Sequence, residues 1–208
     1  MIDSHVLLTF FLTSVILALS PGPDNLFVMA QSAQNGRRAG IAVTLGLASG
    51  LMVHTIAVAV GLAALVHSSA LAFSILKYIG AAYLLYLAWQ AFRASAVPRL
   101  QEPVPMFSRG NLYRRGIIMN LTNPKVSLFF MAFLPQFVNS RYGSITAQFF
   151  QLGMVFIVAT LLVFSLISVL AGGFGDKFRN SSLAQKILNR IASGLFIGLA
   201  LKLAVSER

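Results

Sequence analysis

The stretch Ser20-Pro21-Gly22-Pro23-Asp24-Asn25 interrupts a long hydrophobic run that begins at Val6. Each proline lacks a backbone N–H and disfavours helical geometry in the preceding residue, so a single helix cannot pass smoothly through this stretch. Asp24 is also the only acidic residue between Asp3 and Glu102. A charge beside broken backbone in an apolar span is costly unless it faces a cavity or a partner. The stretch therefore predicts a broken membrane helix with a small-solute site at the break.

The composition of the chain is that of a membrane protein. Hydrophobic residues make up 57% of the 208 residues, charged residues make up 10%, and the mean hydropathy is +0.80. A soluble domain is about 45–50% apolar and about 25% charged. A membrane-spanning helix takes roughly 20 residues, so the chain accommodates six spans as one transporter domain. There is no cysteine, which excludes disulfides and thiol chemistry, and no metal or cofactor is expected.

The net charge of +11 has two interpretations. In a soluble protein it would suggest nucleic acid, but in a membrane protein basic residues gather in cytoplasmic loops that face anionic lipid. We therefore predict a lipid bilayer and a small molecule as partners, with no nucleic acid, and leave a homodimer open. The basic residues fall in alternate loops, so the positive-inside rule predicts that both termini lie outside the cytoplasm. The residues that set this orientation are Arg37, Arg38, Arg93, Arg99, Arg109, Arg114, Arg115, Lys177, Arg179, Lys186 and Arg190.

The predicted spans divide into two similar halves. Residues 1–95 form the first repeat, 96–113 a cytoplasmic linker and 114–208 the second repeat. Leu26-Phe27-Val28-Met29-Ala30 follows the first break, and the similar Leu128-Phe129-Phe130-Met131-Ala132 follows a second break at Pro124. Three spans in each repeat would turn the second upside down relative to the first. We therefore predict an all-α membrane protein of six transmembrane helices in two inverted repeats, with helices 1 and 4 broken, as in secondary transporters. The spans are predicted at residues 6–33, 39–66, 71–92, 116–138, 145–170 and 187–205, with the glycine-rich residues 172–176 ending the fifth.

Asp24 and Lys125 occupy matching places beside the two breaks. In a structural interpretation they form an ion pair that holds the two broken helices together. In a functional interpretation the helices that restart after Pro23 and Pro124 direct free N–H groups at a substrate carboxylate, while Asp24 takes its ammonium group. Asn120 and Asn123 would add neutral hydrogen bonds. Both interpretations stay open, since a substrate can replace the charge pair.

One face of the second span carries Gly46, Gly50 and His54 at intervals of four residues. Small residues at this spacing allow another helix to approach closely. His54 is either a packing residue or, because histidine titrates near neutral pH, part of a proton relay.

The chain resembles the LysE superfamily of lysine exporters, and more closely its RhtB branch (resistance to homoserine and threonine). The resemblance lies in Ser20-Pro21-Gly22-Pro23-Asp24, in Gly46-x3-Gly50-x3-His54, and in Asn120-Leu121-Thr122-Asn123-Pro124-Lys125, and it covers nearly the whole chain. It implies an inner-membrane exporter of amino acids that is driven by proton exchange. It also implies functional roles for the break at Pro21 and Pro23, for Asp24, and for Asn123-Pro124-Lys125.

The expected function is secondary export of neutral amino acids such as threonine, homoserine or leucine, or their analogues, through proton antiport. The alternatives are export of basic amino acids or other small zwitterions and, more remotely, cation transport or membrane enzymology. No nucleophile motif or metal-ligand pair supports an enzyme, so none is predicted.

Overall fold

The computed structural model of the chain describes residues 2–20, 22–62, 70–93, 106–179 and 182–205. All regular structure in these ranges is helical and they contain no strand, which confirms the predicted all-α fold. The α-helices are α1 (Ser4–Leu19), α2 (Pro23–Asn35), α3 (Arg37–Ala57), α4 (Ala70–Arg93), α5 (Arg109–Thr122), α6 (Pro124–Leu128), α7 (Ile145–Arg179) and α8 (Ser182–Val205). Short π and 3-10 turns extend two of them: Val58–Leu62 follows α3, and Phe129–Phe133, Leu134–Phe137 and Ser140–Tyr142 follow α6.

Both predicted breaks are present. The first separates α1 from α2, whose axes differ by 64°, and Pro23 is the first residue of α2. The second separates α5 from the helical stretch Pro124–Phe137, with a bend of 50°. Proline fits the first turn of a helix because its missing N–H would have no partner there. Three parts of the predicted regions lie outside the described residues: Pro21, residues 63–69 around the end of the predicted second span, and residues 94–105, which include the first part of the predicted linker.

Two helices extend beyond the spans predicted for them. Residues 172–176 do not end the fifth helix, because α7 continues to Arg179. A Cβ on Gly172 would lie 2.7 Å from the backbone nitrogen of Arg37, so this glycine permits a close helix contact instead of a helix stop. The fourth helix begins at Arg109, well before the predicted residue 116, because the side chain of Ser108 caps it by accepting a hydrogen bond from Asn111 N.

Two helical stretches, Arg37–Gly61 and Ile145–Gly173, are long and apolar enough to cross a membrane. Each bent pair passes the same test when it is counted as one span, which raises the number among the described residues to four. The 24-residue helices α4 and α8 correspond to the other two predicted spans. The arrangement of six spans in inverted repeats therefore remains a prediction.

The helices pack in a reciprocal pattern. The first broken helix, α1 with α2, packs on α7, and the second broken helix packs on α3 through α5. The pairs α3 with α7 and α4 with α8 are also in contact. The larger apolar core is centred on the fully buried rings of Phe10, Phe129, Phe130 and Phe133. These contacts bring the two helix breaks together, and the polar residues of the breaks meet there.

Candidate functional site

Asp24 lies in the first turn of α2 with only 3% of its surface exposed. Its Oδ2 accepts a hydrogen bond of 2.8 Å from Asn123 Nδ2, which belongs to the other broken helix. Its Oδ1 is buried and accepts no hydrogen bond from any residue that the structure describes. A buried carboxylate oxygen normally has a partner, because leaving it without one costs free energy. Oδ1 is therefore available to a ligand.

Asn123 is the single residue between α5 and α6, and both ends of its side-chain amide are occupied. Nδ2 donates to Asp24, while Oδ1 accepts a 3.0 Å hydrogen bond from the backbone nitrogen of Lys125. The second bond caps the N-terminus of α6. Asn123 thus orients Asp24 and closes its own helix start.

Lys125 is 6% exposed and connects the second break to the end of α1. Its Nζ donates to the carbonyl oxygen of Leu17 at 3.3 Å and to that of Ser20 at 3.1 Å, and it does not donate to Asp24. A cation is favourable at a helix C-terminus, where carbonyl groups lack helical partners. The broken helices are therefore joined by hydrogen bonds through Asn123 and Lys125, with attraction between the charges of Asp24 and Lys125 in addition. An ammonium group has three N–H donors, so one remains for a ligand.

A cavity of about 20 Å³ lies where the two breaks meet, and Asp24, Asn120 and Lys125 are among its lining residues. Asn120 is 2% exposed, and its side-chain oxygen has no hydrogen-bond partner among the described residues. The cavity thus offers a carboxylate oxygen, a neutral amide and an ammonium group within an otherwise largely apolar wall. One water molecule needs about 10–15 Å³, so the cavity as seen here is too small for an amino acid. The other lining residues are Leu17, Ala18, Leu51, Val126, Phe156, Thr160 and Phe164.

The face of α3 that carries Gly46, Gly50 and His54 packs against α5. A Cβ on Gly46 would lie 2.1 Å from the carbonyl oxygen of Tyr113, and one on Gly50 would lie 2.7 Å from the side chain of Asn120. The half-buried His54 has its Nε2 3.3 Å from the carbonyl oxygen of Asn120. Because a carbonyl only accepts, this contact requires hydrogen on Nε2. His54 is absent from the described residues that line the cavity, so it touches the site only through the backbone of Asn120.

The first break is less tightly capped than the second. Gly22 precedes α2 in an extended conformation and offers no side chain as a cap, so the N-terminal N–H groups of α2 lack a side-chain acceptor there. Asn25 joins α2 to α1 across the break, because its Nδ2 donates to the carbonyl oxygen of Ala18 at 2.7 Å. A Cβ on Gly22 would lie 3.1 Å from Lys125 Nζ. The helix start beside Asp24 is therefore close to the free polar groups of the cavity.

A second hollow, of about 350 Å³, lies at the end of the molecule where α1 begins. Phe137 lines this hollow, and Phe156 lines the central cavity. Phe10 lies between them, with its ring centroid 5.0 Å from that of Phe137 and 6.5 Å from that of Phe156. Phe129 packs on Phe156 at 5.2 Å and belongs to the π-helical turn after α6. These four residues, which we call the phenylalanine column, separate the hollow from the cavity. The other residues lining the hollow are His5, Val6, Thr9, Gln136, Val138, Asn139 and Tyr142.

The sequence interpretation assigned no role to three residues of the site. The carbonyl of the buried Ser20 accepts from Lys125, and its hydroxyl has no described partner. Thr160 of α7 lines the cavity and is 3% exposed. Thr160 is the only polar side chain in residues 152–164, and this signal could have indicated it. Phe156 gave no such signal, since a phenylalanine in a membrane helix is ordinary.

Comparisons with known proteins agree with this membrane architecture. The chain is 38% identical over 188 residues, covering 90% of each chain, to the "homoserine/homoserine lactone efflux protein" of Salmonella typhimurium. It is 37% identical, with the same coverage, to the protein of that name in Salmonella typhi. It is also 32% identical, over 99% of each chain, to an "uncharacterized membrane protein" of Vibrio cholerae serotype O1. No solved structure matches the chain significantly.

The family model described as "LysE type translocator" matches residues 15–207. This match covers both helix breaks and nearly all of the chain, and it confirms the family that the sequence motifs indicated. Translocators move solutes without transforming them, so the prediction that the chain is not an enzyme is confirmed as well. The chain belongs to the family of LysE type translocators.

Proposed function

We propose that this chain exports amino acids across the bacterial inner membrane as a secondary transporter. The observation that carries the proposal is the cavity between the two helix breaks, in which Asp24 Oδ1 and Asn120 Oδ1 have no hydrogen-bond partner among the described residues. Two relatives named for efflux of homoserine and homoserine lactone support the same class of substrate.

The polar groups of the cavity suit a zwitterion. Asp24 Oδ1 is placed to accept from a substrate ammonium group. Asn120 Oδ1 is placed to accept from the same ammonium group. The remaining N–H of Lys125 is placed to donate to the substrate carboxylate, together with the uncapped start of α2. We assign Asn123 the role of a positioning residue, because its amide holds Asp24 and the start of α6.

The charges of the cavity favour neutral amino acids over basic ones. Asp24 is the only acidic residue among the described residues that line the cavity, and Lys125 adds a positive charge. A second ammonium group on the substrate would find no carboxylate and would be repelled by Lys125. Threonine, homoserine, leucine and their analogues carry a single ammonium group and fit this arrangement better.

Transport requires the cavity to open, because about 20 Å³ does not hold an amino acid. The reciprocal packing of each broken helix on the opposite half supports an inverted repeat of three spans, in which one half rocks against the other. The phenylalanine column would close the path toward the hollow lined by His5 and Asn139. The π-helical turn Phe129–Phe133 is a suitable hinge, since such turns are common at functional sites.

The distribution of charge supports both termini lying outside the cytoplasm. Arg37, Arg38 and Arg109 come together at one end of the bundle, whereas His5 and Asn139 line the hollow at the end where α1 begins. The positive-inside rule makes the arginine end cytoplasmic and the hollow an exit vestibule. A protonatable Asp24 would link substrate release to proton entry, and this gives proton antiport.

Vesicles that contain the purified full chain and are loaded with labelled threonine, homoserine, leucine or lysine test the proposal. We expect release of the neutral substrates to exceed release from empty vesicles, and to accelerate when the outside is made more acidic. Fastest release of lysine would favour the basic-substrate alternative. A rate of release that does not change with the pH gradient would contradict proton antiport. If no amino acid is released faster than from empty vesicles, amino-acid export is contradicted.

A further inference from the structure

A groove of about 580 Å³ lies at the arginine end of the molecule, between α3 and α5, away from the cavity. Arg37 and Arg38 of α3 line one side, and Arg109 of α5 lines the other. All three side chains are exposed. No acidic residue is among the described residues that line the groove. The described lining of the groove therefore concentrates positive charge.

Neighbouring arginines behave differently. The guanidinium of Arg115 lies over the ring of Phe107 at 3.9 Å, and that of Arg93 lies over Trp89 at 4.4 Å. Cation–π contacts of this kind hold an arginine against the protein. The three arginines of the groove have no aromatic partner among the described residues, so they are free to bind an anion with the paired N–H donors of their guanidinium groups.

The walls of the groove change from charged to apolar along α3. Ile41 and Ala42 lie one turn after the arginines, and Leu45 follows another turn on, with half of its surface exposed. This part of α3 belongs to a stretch that is apolar enough to cross a membrane. Tyr113 closes the groove, and its hydroxyl bonds to Ser49 Oγ at 2.8 Å. A soluble anion would use the charged end alone, whereas a phospholipid would use both the charged end and the apolar wall.

We propose that this groove binds an anionic phospholipid, with the phosphate held by Arg37, Arg38 and Arg109 and an acyl chain along Ile41 and Leu45. Basic grooves between membrane helices on the cytoplasmic side are suited to such headgroups. The groove bridges α3 and α5, so a bound lipid would hold together the crossing at which Gly46 meets Tyr113. The proposal depends on the chain lying in a membrane and is independent of what the chain exports.

The test measures binding of phosphatidylglycerol to the purified full chain in detergent by native mass spectrometry, with phosphatidylcholine and inorganic phosphate as separate probes. We expect phosphatidylglycerol to bind at least about tenfold more tightly than phosphatidylcholine, because hydrogen bonds to charged groups are strong. The variant Arg38→Gln/Arg109→Gln should lose most of this preference. The matched control Arg114→Gln/Arg115→Gln removes the same amount of charge from α5, at residues that are not among the described lining of the groove, and should keep the preference.

Three outcomes would overturn the proposal. Equal losses in the two double variants would mean that the surface charge acts without a specific site. Binding of inorganic phosphate as tight as that of phosphatidylglycerol would mean that the groove takes the anion and not the lipid. An unchanged preference in Arg38→Gln/Arg109→Gln would place the lipid elsewhere. Should that variant misfold, Leu45→Asn, which leaves all the arginines in place, must weaken phosphatidylglycerol binding while leaving phosphate binding unchanged.

Discussion

The two helix breaks are alike in that a proline starts the new helix, but they differ in how that helix start is capped. In each, a new helix starts with a proline, at Pro23 in one and at Pro124 in the other. At the second break, Asn123 alone separates the helices and caps the new one with its own side chain. At the first break the residue before the new helix is Gly22, which has no side chain to cap it.

This difference gives the two breaks different roles in the site. The capped second break has few unpaired groups, and its residues reach across to hold Asp24 and the end of α1. The first break retains a free carboxylate oxygen and a helix start without a side-chain cap. We infer that the second break holds the residues of the site in position, and that the first break contacts the substrate. Substitutions at the two breaks test this division.

The largest effect is expected from Asp24→Asn at the first break. The substitution keeps the shape of the side chain but removes its charge, so we expect the rate of efflux to fall by about one to two orders of magnitude, the value of a hydrogen bond to a charged group. Efflux from vesicles provides the measurement, and elution as a monodisperse protein provides the control for folding. Normal efflux by this variant would remove Asp24 from the mechanism.

At the second break, Lys125→Met should act mainly on stability. It leaves the carbonyls of Leu17 and Ser20 without their donor and Asp24 without its nearby cation, which should cost about 3–5 kcal/mol. Thermal unfolding in detergent measures this, with the exposed Arg141→Gln as a charge control. The double variant Asp24→Asn/Lys125→Met should be more stable than Lys125→Met alone. Strict additivity of the two single changes would show that the charges are not coupled.

A smaller effect is expected when a helix cap is added at the first break or removed at the second. Gly22→Ser supplies a cap at the first break and should change stability by only a few tenths of a kcal/mol, while slowing efflux several-fold because its hydroxyl occupies the free N–H groups. Gly22→Ala adds the same Cβ without the oxygen and is the matched control. Asn123→Ala should instead cost about 1 kcal/mol or more of stability. Equal transport defects in Gly22→Ser and Gly22→Ala would point to size, and would argue against a role for the helix start.

The smallest effect is expected from His54→Gln, since His54 contacts the site only through the carbonyl of Asn120. Glutamine retains an N–H donor, so efflux should stay within about twofold of the original rate, as for substitutions that keep a hydrogen bond. The measurement is efflux across a range of external pH. A flattened pH profile in this variant would place His54 in a proton relay and extend the site beyond the cavity.

The sequence alone was sufficient to predict the helical fold, the positions of both breaks and the residues beside them. These features depend on local chemistry: proline at a helix start, an isolated acid in an apolar run, and small residues at a spacing of four. The helix α7 continues through the glycine-rich residues 172–176, where Gly172 packs against the backbone of Arg37 in a distant helix. No local pattern distinguishes a glycine that stops a helix from one that admits a neighbour.

Which partner each polar residue takes was decided only by the tertiary structure. The sequence made Asp24 and Lys125 candidates for a direct pair, but the fold places Asn123 against Asp24 and directs Lys125 to two carbonyls of α1. It also brings three arginines from the starts of two helices, α3 and α5, into one groove. The physical reason is that composition and spacing determine where a helix breaks and which face is apolar. The direction of a side chain across a packed interface depends on atoms about a hundred residues away in the chain, as for Asp24 and Asn123.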